Sequence, residues 1–372
     1  MYNKAEAGLY LHIPFCMEKC RYCDFYSFTH GEKYFEQYEN RLHEAIEHYE
    51  KRYARRYNSL YFGGGTPLCI GEKQLCRLLE HAGNLLSPES EVTVEGNPAA
   101  SGAVDFASLK AAGANRLSFG LQSSDAKELA ALGRIHSAED ARDTVLSAQK
   151  AGFENISLDL MIGIPYQTAE SLRRSIKFCA ELGVTHISAY MLKIEPDTPL
   201  AKSDLRFLCA DEEKAAELYL VAVEELSKYG FEQYEISNFA RGGAFSRHNL
   251  RYWLDGEYLG LGPSAHSFME GRRFYFERSF KDFMETPFDE AERFEGEGGS
   301  ADEYAMLRLR LNEGLDLDEY KKLYPNADTA GILRRAALYE RHGLLTITGS
   351  RIAFTPKGML LSNTLTAEVL WE

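Results

Sequence analysis

The chain has 372 residues, 45% hydrophobic and 26% charged, which is typical of a folded protein with one large and one smaller domain. Its net charge of -14 disfavours broad nucleic-acid binding and a basic membrane-surface patch. No run approaches the roughly 18 apolar residues of a membrane span, and the start MYNKAEAGLY lacks the pattern of a secretory signal. We therefore expect a cytoplasmic protein with no transmembrane segment, whose partners are small molecules or proteins.

Short β-rich runs alternate with longer helical patterns through the first half of the chain. Apolar residues three or four apart predict helices between the runs, the longest over 32–57. Repeated βα units of this kind indicate a parallel sheet covered by helices. The six runs rich in β-branched or aromatic residues predict strands at 9–13, 59–62, 92–95, 116–120, 156–162 and 186–191.

An unusual loop follows each of the six predicted strands. The first is rich in cysteine, and the others are GGGTP, EGNP, GLQS, GIPYQT and LKIEPDTPL. An open doubly wound sheet also fits the alternation, but its site draws mainly on two or three loops. In a (β/α) barrel the chemistry lies on loops at the carboxyl ends of the strands. We therefore predict an α/β fold with a partial six-unit (β/α) TIM-like barrel over 1–210.

Three of the seven cysteines, Cys16, Cys20 and Cys23, crowd into a C-x3-C-x2-C stretch, which is not a disulfide framework. Structural zinc needs four protein ligands, usually in paired C-x2-C units, and the sequence has no second pair. His12 and Asp24 are the nearest candidates for a fourth ligand, but His12 lies in a predicted strand and Asp24 is adjacent to Cys23. A [4Fe-4S] cluster on three cysteines leaves one iron open to a small molecule.

With the aromatic Tyr22 just before its third cysteine, this stretch resembles the signature of the radical S-adenosylmethionine (SAM) enzymes. The resemblance implies that Cys16, Cys20 and Cys23 hold a [4Fe-4S] cluster whose fourth iron binds the amino and carboxylate groups of an exchangeable SAM. In that family an electron from the cluster splits SAM into methionine and a 5'-deoxyadenosyl radical. An electron donor is therefore implied if SAM is cleaved.

The loops after the later strands suit a bound SAM. The glycines at 63–67 would present backbone N–H groups to its amino acid moiety, although a tight turn would use them too. Glu95 could meet the ribose hydroxyls or the methionyl amine, or be a solvated strand end, and Arg134 could pair with the carboxylate as a bidentate fork. The expected SAM residues are Tyr10, Tyr22, Gly64, Gly65, Thr66, Glu95, Gln122, Arg134 and Asp159.

Further stretches narrow the resemblance to the coproporphyrinogen dehydrogenase-like branch, and within it to its haem chaperones, over nearly the whole chain. These stretches are YFGGGTP, RLSFGLQS, LDLMIGIPYQT, YEISNFA and HNLRYWLDGEYLGLGPSAHS. Phe25 stands where the dehydrogenases have a further cysteine, and the segment before Cys16 is shorter than theirs. Both departures count against coproporphyrinogen dehydrogenase activity, and we assign no catalytic residue beyond the cluster and the SAM site.

The segment RHNLRYW at 247–253 contains H-N-x-x-Y-W, the motif of the haem chaperone branch. The resemblance implies that His248 and Asn249 meet haem, with His248 as a candidate iron ligand, and that Tyr252 and Trp253 pack on the porphyrin. It also implies a protein that binds haem and transfers it to acceptor proteins. The alternative is an oxygen-independent coproporphyrinogen III oxidase, in which the radical takes hydrogen from a propionate side chain and carbon dioxide leaves.

The second half of the chain predicts two further parts. Residues 211–290, with an amphipathic helix at 211–228 and the strand-like FEQYEISNF, are expected to cover the barrel and to carry the haem motif. The acidic, glycine-bearing stretch 285–300 is typical of a linker.

The last segment, 300–372, predicts a winged-helix-like α+β domain. Three helical patterns, near 301–312, at 317–323 and in TAGILRRAALYERHG, precede a hairpin around Gly349. Acidic and basic residues nearly balance there, so DNA binding is not expected. A module that docks or covers haem, or that docks an acceptor protein, fits this composition better.

Overall fold

The computed structural model describes residues 6–102 and 104–371. Residues 1–5, which begin the stretch tested above for a secretory signal, lie outside the described ranges. The chain forms an α/β barrel with a sheet extension on both edges and a small α+β part at its carboxyl end. In the described ranges no helix combines the length and the apolar character needed to span a bilayer.

Six parallel strands in chain order form the barrel, as predicted. They are β1 (Glu6–Ile13), β2 (Arg56–Gly64), β3 (Leu86–Gly96), β4 (Arg116–Gln122), β5 (Asn155–Ile162) and β6 (His186–Met191). The intervening helices are α1 (Phe35–Tyr53), α2 (Glu72–Gly83), α3 (Pro98–Ser101), α4 (Phe106–Ala111), α5 (Ala126–Leu132), α6 (Ala138–Lys150) and α7 (Ala169–Glu181). Within the described part of the chain β1 and β6 do not pair, so the barrel is open.

Alternation along the barrel strands separates an apolar outside from a polar lumen. In β1 the side chains of Leu9, Leu11 and Ile13 are fully buried in the core between the strands and the helices. The alternate residues face the lumen, where they bond to one another across strands, as Tyr61 does to Glu95. The lumen is therefore a cavity with hydrogen-bonding walls at the centre of an apolar shell.

Short strands extend the sheet beyond both barrel edges, to twelve strands among the described residues. Antiparallel β7 (Glu232–Gln233) and β8 (Asn238–Ala240) extend the β6 edge. On the β1 edge lie β9 (Tyr258–Leu261), parallel to β1, and antiparallel β10 (His266–Met269), β11 (Arg272–Phe276) and β12 (Glu292–Glu297). The helices here are α8 (Glu212–Lys228), α9 (Arg247–Trp253), α10 (Phe280–Glu285) and α11 (Phe288–Ala291).

The predicted linker at 285–300 is wrong over most of its length. Residues Phe288–Ala291 form a helical turn, and Glu292–Glu297 form an outer strand paired with β11. An outer strand exposes much of its surface, so charged residues and glycine occupy it without preventing pairing. An acidic, glycine-bearing composition therefore does not distinguish a linker from an outer strand that pairs with a neighbouring strand.

The carboxyl-terminal part has its own apolar core, which includes Leu315, Ile352 and Val369. Its elements are α12 (Ala301–Arg308), β13 (Leu315–Asp316), α13 (Leu317–Leu323), α14 (Thr329–Glu340), β14 (Leu345–Thr348), β15 (Arg351–Phe354), α15 (Pro356–Leu360) and α16 (Ser362–Leu370). The three strands form an antiparallel sheet in the order β13-β15-β14. Three helices followed by a hairpin agree with the predicted α+β arrangement, while α15 and α16 were not predicted.

Candidate functional site

The loop after β1 carries Cys16, Cys20 and Cys23, and all three thiols are free. Backbone hydrogen bonds fix this loop at both ends and in the middle. The Cys16 amide donates to Phe28 O at 3.0 Å, and the Arg21 amide donates to Leu132 O at 3.0 Å. These hydrogen bonds join the start of the loop to Phe28, where the loop ends, and its middle to the last residue of α5.

Aromatic packing supports the base of this cysteine loop. The Phe15 ring is 1% exposed and lies 5.2 Å from the Phe28 ring, 4.9 Å from the Phe35 ring and 5.3 Å from the Tyr38 ring, centroid to centroid. A Cβ atom at Gly31 would lie 2.3 Å from the Phe15 ring, so the packing requires glycine there. Edge-to-face contacts of this kind add to the stability gained from burial.

A cavity of about 480 Å³ opens beside the cysteine loop at the carboxyl ends of the barrel strands. Every cysteine of the motif and eight of the nine expected SAM residues line it, namely Tyr22, Gly64, Gly65, Thr66, Glu95, Gln122, Arg134 and Asp159. Among the described residues no group of three or more His, Cys, Asp or Glu side chains is arranged to hold one metal ion. Cys16, Cys20 and Cys23 therefore line the cavity and do not form a compact site for a single metal ion.

Tyr10 is the one expected SAM residue that does not line the cavity. Its hydroxyl bonds to His12 Nδ1 at 3.1 Å, and its ring stacks on Tyr61 with centroids 6.2 Å apart. Tyr10 therefore lies one layer deeper in the barrel lumen, below the residues that face the cavity.

The glycine loop after β2 packs directly against the cysteine loop. Gly64 has a φ of +106°, and a Cβ atom there would lie 2.5 Å from the His12 ring. A Cβ atom at Gly65 would lie 2.5 Å from Phe15 O. The Gly65 amide donates to Ile13 O at 2.8 Å and the Thr66 amide donates to Phe15 O at 2.7 Å. These two amides join the loops, so the expectation that they are free to meet a ligand was wrong.

The Arg134 guanidinium packs against the cysteine loop, and protein atoms engage both of its Nη atoms. Its Nη1 donates to Cys20 Sγ at 3.4 Å, and its Nη2 donates to the Gly120 carbonyl. Its buried Nε has no hydrogen-bond partner in the described ranges. The predicted bidentate fork is therefore partly engaged by the protein itself, and a ligand in the cavity would meet the N–H groups that these two hydrogen bonds leave over.

Two carboxylates form the acidic floor of the cavity. Burial raises the pKa of Glu95 to about 7, although Tyr61 OH donates to its Oε1 at 2.6 Å. Burial also raises the pKa of Asp159 to about 6, against the lowering effects of the Ser188 hydroxyl and the Arg116 guanidinium. Near neutral pH such a floor favours a ligand with cationic groups.

Several residues of the lumen were not predicted from the sequence. Ser118, Met161 and Tyr190 also line the cavity, and Arg116 lies below it, 1% exposed. Arg116 Nε and Nη1 have no hydrogen-bond partner within residues 6–102 and 104–371. The period of two in RLSFGLQ, NISLDLMI and HISAYM places these residues on the lumen side, and this signal could have found them.

The H-N-x-x-Y-W segment forms α9 at the opposite, amino-terminal end of the strands. His248 is 1% exposed, and its Nδ1 bonds to Ser59 Oγ and its Nε2 to Tyr252 OH, both at 2.9 Å. Burial lowers the pKa of His248 to about 3, so the imidazole is neutral. With both nitrogens bonded, His248 is not presented to a haem iron in this arrangement, contrary to the expectation from the motif.

The other motif residues lie nearer the surface. Asn249, Tyr252 and Trp253 are partly exposed, and the Arg310 guanidinium lies over the Trp253 ring at 5.4 Å. The motif helix therefore contacts the barrel lumen through His248 and the carboxyl-terminal part through Trp253.

Comparisons with known proteins agree with this architecture. Residues 10–179 match the radical SAM superfamily, and residues 301–361 match the HemN C-terminal domain. The chain is 33% identical over 378 residues to the heme chaperone HemW of Bacillus subtilis, covering 98% of this chain and 99% of that protein. It is 40% identical over 266 residues to the bovine mitochondrial radical S-adenosyl methionine domain-containing protein 1, covering 70% of this chain and 60% of that one.

A solved structure shares the fold over almost the whole chain. Coproporphyrinogen III oxidase (HemN) from Escherichia coli superposes with a TM-score of 0.83 at 22% identity, covering 99% of this chain and 90% of the oxidase. The open barrel and the cysteine loop beside its mouth define a radical SAM protein, a class that carries a [4Fe-4S] cluster and SAM. The similarity to proteins named heme chaperone HemW extends over 98% of this chain at 33% identity and is more specific than the shared barrel. The chain belongs to the HemW family.

Proposed function

We propose that this protein is a haem chaperone, which binds haem and transfers it to acceptor proteins in the cytoplasm. The observation that carries the proposal is the similarity to a protein named heme chaperone HemW, which extends over 98% of this chain and 99% of that relative. A similarity that includes the barrel, the motif helix and the carboxyl-terminal part supports a shared activity better than a shared barrel would.

Cys16, Cys20 and Cys23 are the proposed ligands of the [4Fe-4S] cluster. Three free thiols on one loop are the donors such a cluster takes. The Arg134 guanidinium lies beside this loop and donates from Nη1 to Cys20 Sγ at 3.4 Å, and hydrogen bonds to the ligand sulfurs are one means by which proteins tune such clusters. When bound, the cluster supplies an iron open to the amino acid part of SAM and an electron for SAM cleavage, which would require an electron donor.

SAM is the proposed occupant of the cavity beside this loop. The acidic floor made by Glu95 and Asp159 suits the sulfonium charge, and the Arg134 guanidinium suits the carboxylate. We assign SAM contacts to Tyr22, Gly64, Gly65, Thr66, Glu95, Gln122, Arg134 and Asp159, and a supporting place below them to Tyr10.

Haem contact at the motif helix is proposed for its exposed side. Asn249, Tyr252 and Trp253 are partly exposed, and Trp253 offers an aromatic surface near the carboxyl-terminal part. Ligation of haem iron by His248 would require that histidine to leave Ser59 and Tyr252. A docking or covering role of the carboxyl-terminal part toward haem or an acceptor protein belongs to the same proposal.

The test uses the full chain, reconstituted anaerobically with iron and sulfide. Haemin titration followed by the Soret band gives the stoichiometry, and incubation with an apo haem protein gives transfer. We expect one haem per chain and transfer to the apo protein. Mass spectrometry of coproporphyrinogen incubated with SAM and reductant tests the oxidase alternative. Decarboxylated product without haem uptake would overturn the proposal.

The two tryptophans of the chain give a positional test of haem binding. Haem quenches nearby indole fluorescence, so a Trp371→Phe variant leaves Trp253 as the sole reporter, and Trp253→Phe is the matched control. We expect strong quenching in Trp371→Phe and weaker quenching in Trp253→Phe. Equal quenching in both variants would argue against haem contact at the motif helix.

A further inference from the structure

His248 belongs to a chain of contacts that ends at the SAM cavity. Its ring stacks on Tyr61 with centroids 5.1 Å apart and planes inclined by 29°. The Tyr61 hydroxyl donates to Glu95 Oε1 at 2.6 Å, and Glu95 lines the cavity. We propose that His248 is a positioning residue for the SAM site, which holds Tyr61 in place so that its hydroxyl directs the Glu95 carboxylate.

Tyr61 packs in a cluster with two neighbouring rings. The centroids lie 6.2 Å apart for Tyr10 and Tyr61, 5.1 Å apart for His248 and Tyr61, and 6.3 Å apart for Tyr10 and His248, so each ring contacts the other two. Tyr61 is only 8% exposed, so its ring orientation depends on these neighbours. Removal of the imidazole leaves a void beside Tyr61, into which the ring can tilt and carry its hydroxyl away from Glu95.

His248 is itself fixed from several directions. Its backbone amide and that of Arg247 donate to the Glu91 carboxylate at 3.0 Å each, which secures the start of α9 against β3. Its two ring nitrogens bond to Ser59 Oγ and to Tyr252 OH. A buried ring with both nitrogens bonded has a fixed orientation, because rotation would leave buried polar atoms unpaired.

A second histidine in the lumen provides a matched control. His186 is fully buried, and its Nδ1 bonds to Ser157 Oγ at 2.7 Å and its Nε2 to Tyr234 OH at 2.8 Å. It repeats the serine, histidine and tyrosine arrangement of His248 but packs on Tyr234 and not on Tyr61. Its removal therefore creates a similar void without loosening the contact to Glu95.

The inference rests on the proposed SAM site, and the experiment separates the two. SAM is titrated into the reduced, cluster-loaded protein, and its affinity is read from the change in the electron paramagnetic resonance (EPR) spectrum of the cluster. No spectral change in the wild type would refute the SAM site itself. With a wild-type response, we expect His248→Ala to weaken SAM affinity about tenfold and His186→Ala to change it less than threefold.

Tyr61→Phe keeps the ring and removes only the hydroxyl, so it tests the same contact without a void. We expect it to weaken SAM affinity about as much as His248→Ala, and the double variant to be no weaker than either one, because both act through Glu95. Additive losses would overturn the proposal. So would equal weakening by His248→Ala and His186→Ala, or an affinity of His248→Ala within twofold of the wild type.

Discussion

Arg134 donates a hydrogen bond from Nη1 to Sγ of Cys20 across 3.4 Å, although 114 positions separate the two residues. Hydrogen bonds and positive charge next to a cluster ligand stabilise the reduced, more negative cluster. With Cys20 as the proposed cluster ligand, we therefore expect Arg134 to influence the cluster reduction potential in addition to its proposed SAM contact.

We predict that Arg134→Gln lowers the midpoint potential of the cluster by on the order of 50 mV, the one-electron equivalent of losing a charge-assisted hydrogen bond. A redox titration monitored by EPR without SAM measures it. Arg142→Gln, which removes an exposed guanidinium paired with Glu139, is the control and should leave the potential unchanged. Equal potentials for wild type and Arg134→Gln would refute this role.

SAM affinity should depend on pH through Glu95. Burial raises its pKa to about 7, so the carboxylate is ionised above that pH and protonated below it. Because the ionised form attracts cationic groups and accepts hydrogen bonds, SAM affinity should fall as the pH drops from 8 to 6. Glu95→Gln should bind SAM more weakly at pH 8 and show a smaller pH dependence, which comes from Asp159 because its pKa of about 6 lies at the lower end of this range.

Glu235→Gln is the matched control for this pH dependence. Burial also raises the pKa of Glu235 to about 7, but this residue lies beside the carboxyl-terminal part and not in the cavity. The variant should retain the wild-type profile of SAM affinity against pH. If the pH dependence of SAM affinity disappeared in Glu235→Gln but persisted in Glu95→Gln, its assignment to Glu95 would be wrong.

Gly31→Ala should reduce cluster content through the base of the cysteine loop. The added Cβ atom meets the Phe15 ring at 2.3 Å, and that ring is enclosed by other aromatic side chains. Overpacking of this kind costs about 1–3 kcal/mol. Gly83→Ala is the control, because its Cβ atom meets nothing within 4 Å and lies in a helix. Iron per chain and the melting temperature should fall only in Gly31→Ala.

The carboxyl-terminal core can be tested separately from the barrel. Ile352 is fully buried in β15, so Ile352→Ala should cost about 2–5 kcal/mol in unfolding free energy. Leu338→Ala, at a side chain 54% exposed, should change it by less than about 0.5 kcal/mol. Denaturant unfolding monitored by circular dichroism gives both values, and equal effects would contradict the packing described here.

The sequence predicted the parts of the fold that depend on local pattern. All six barrel strands were found because their runs are β-branched or aromatic, yet β3 begins at Leu86 and not at 92, since LSPESE has no strand-like composition. The strands on the two outer edges of the sheet were harder to find. Pairing between distant segments decides whether Glu292–Glu297 forms a strand, and no local pattern records that pairing.

The sequence predicted the site residues that lie on loops directly after strands. It did not predict the hydrogen-bond partners of individual side chains. The cysteines and the glycine loop needed only their place at strand ends. The orientation of His248 depends on Glu91, 157 positions earlier, which binds the start of α9. The partners of Arg134 likewise depend on a distant loop. Such contacts follow from the assembled barrel and cannot be read from a motif.

Cys16, Cys20 and Cys23 are proposed to hold a [4Fe-4S] cluster with one iron open to SAM. Mössbauer spectroscopy of protein reconstituted anaerobically with ⁵⁷Fe, before and after SAM addition, tests it most directly. We expect a four-iron cluster in which one iron site changes its isomer shift when SAM binds, and loss of that cluster in Cys20→Ala. A spectrum that SAM leaves unchanged, or a preparation that takes up zinc in place of iron, would contradict it.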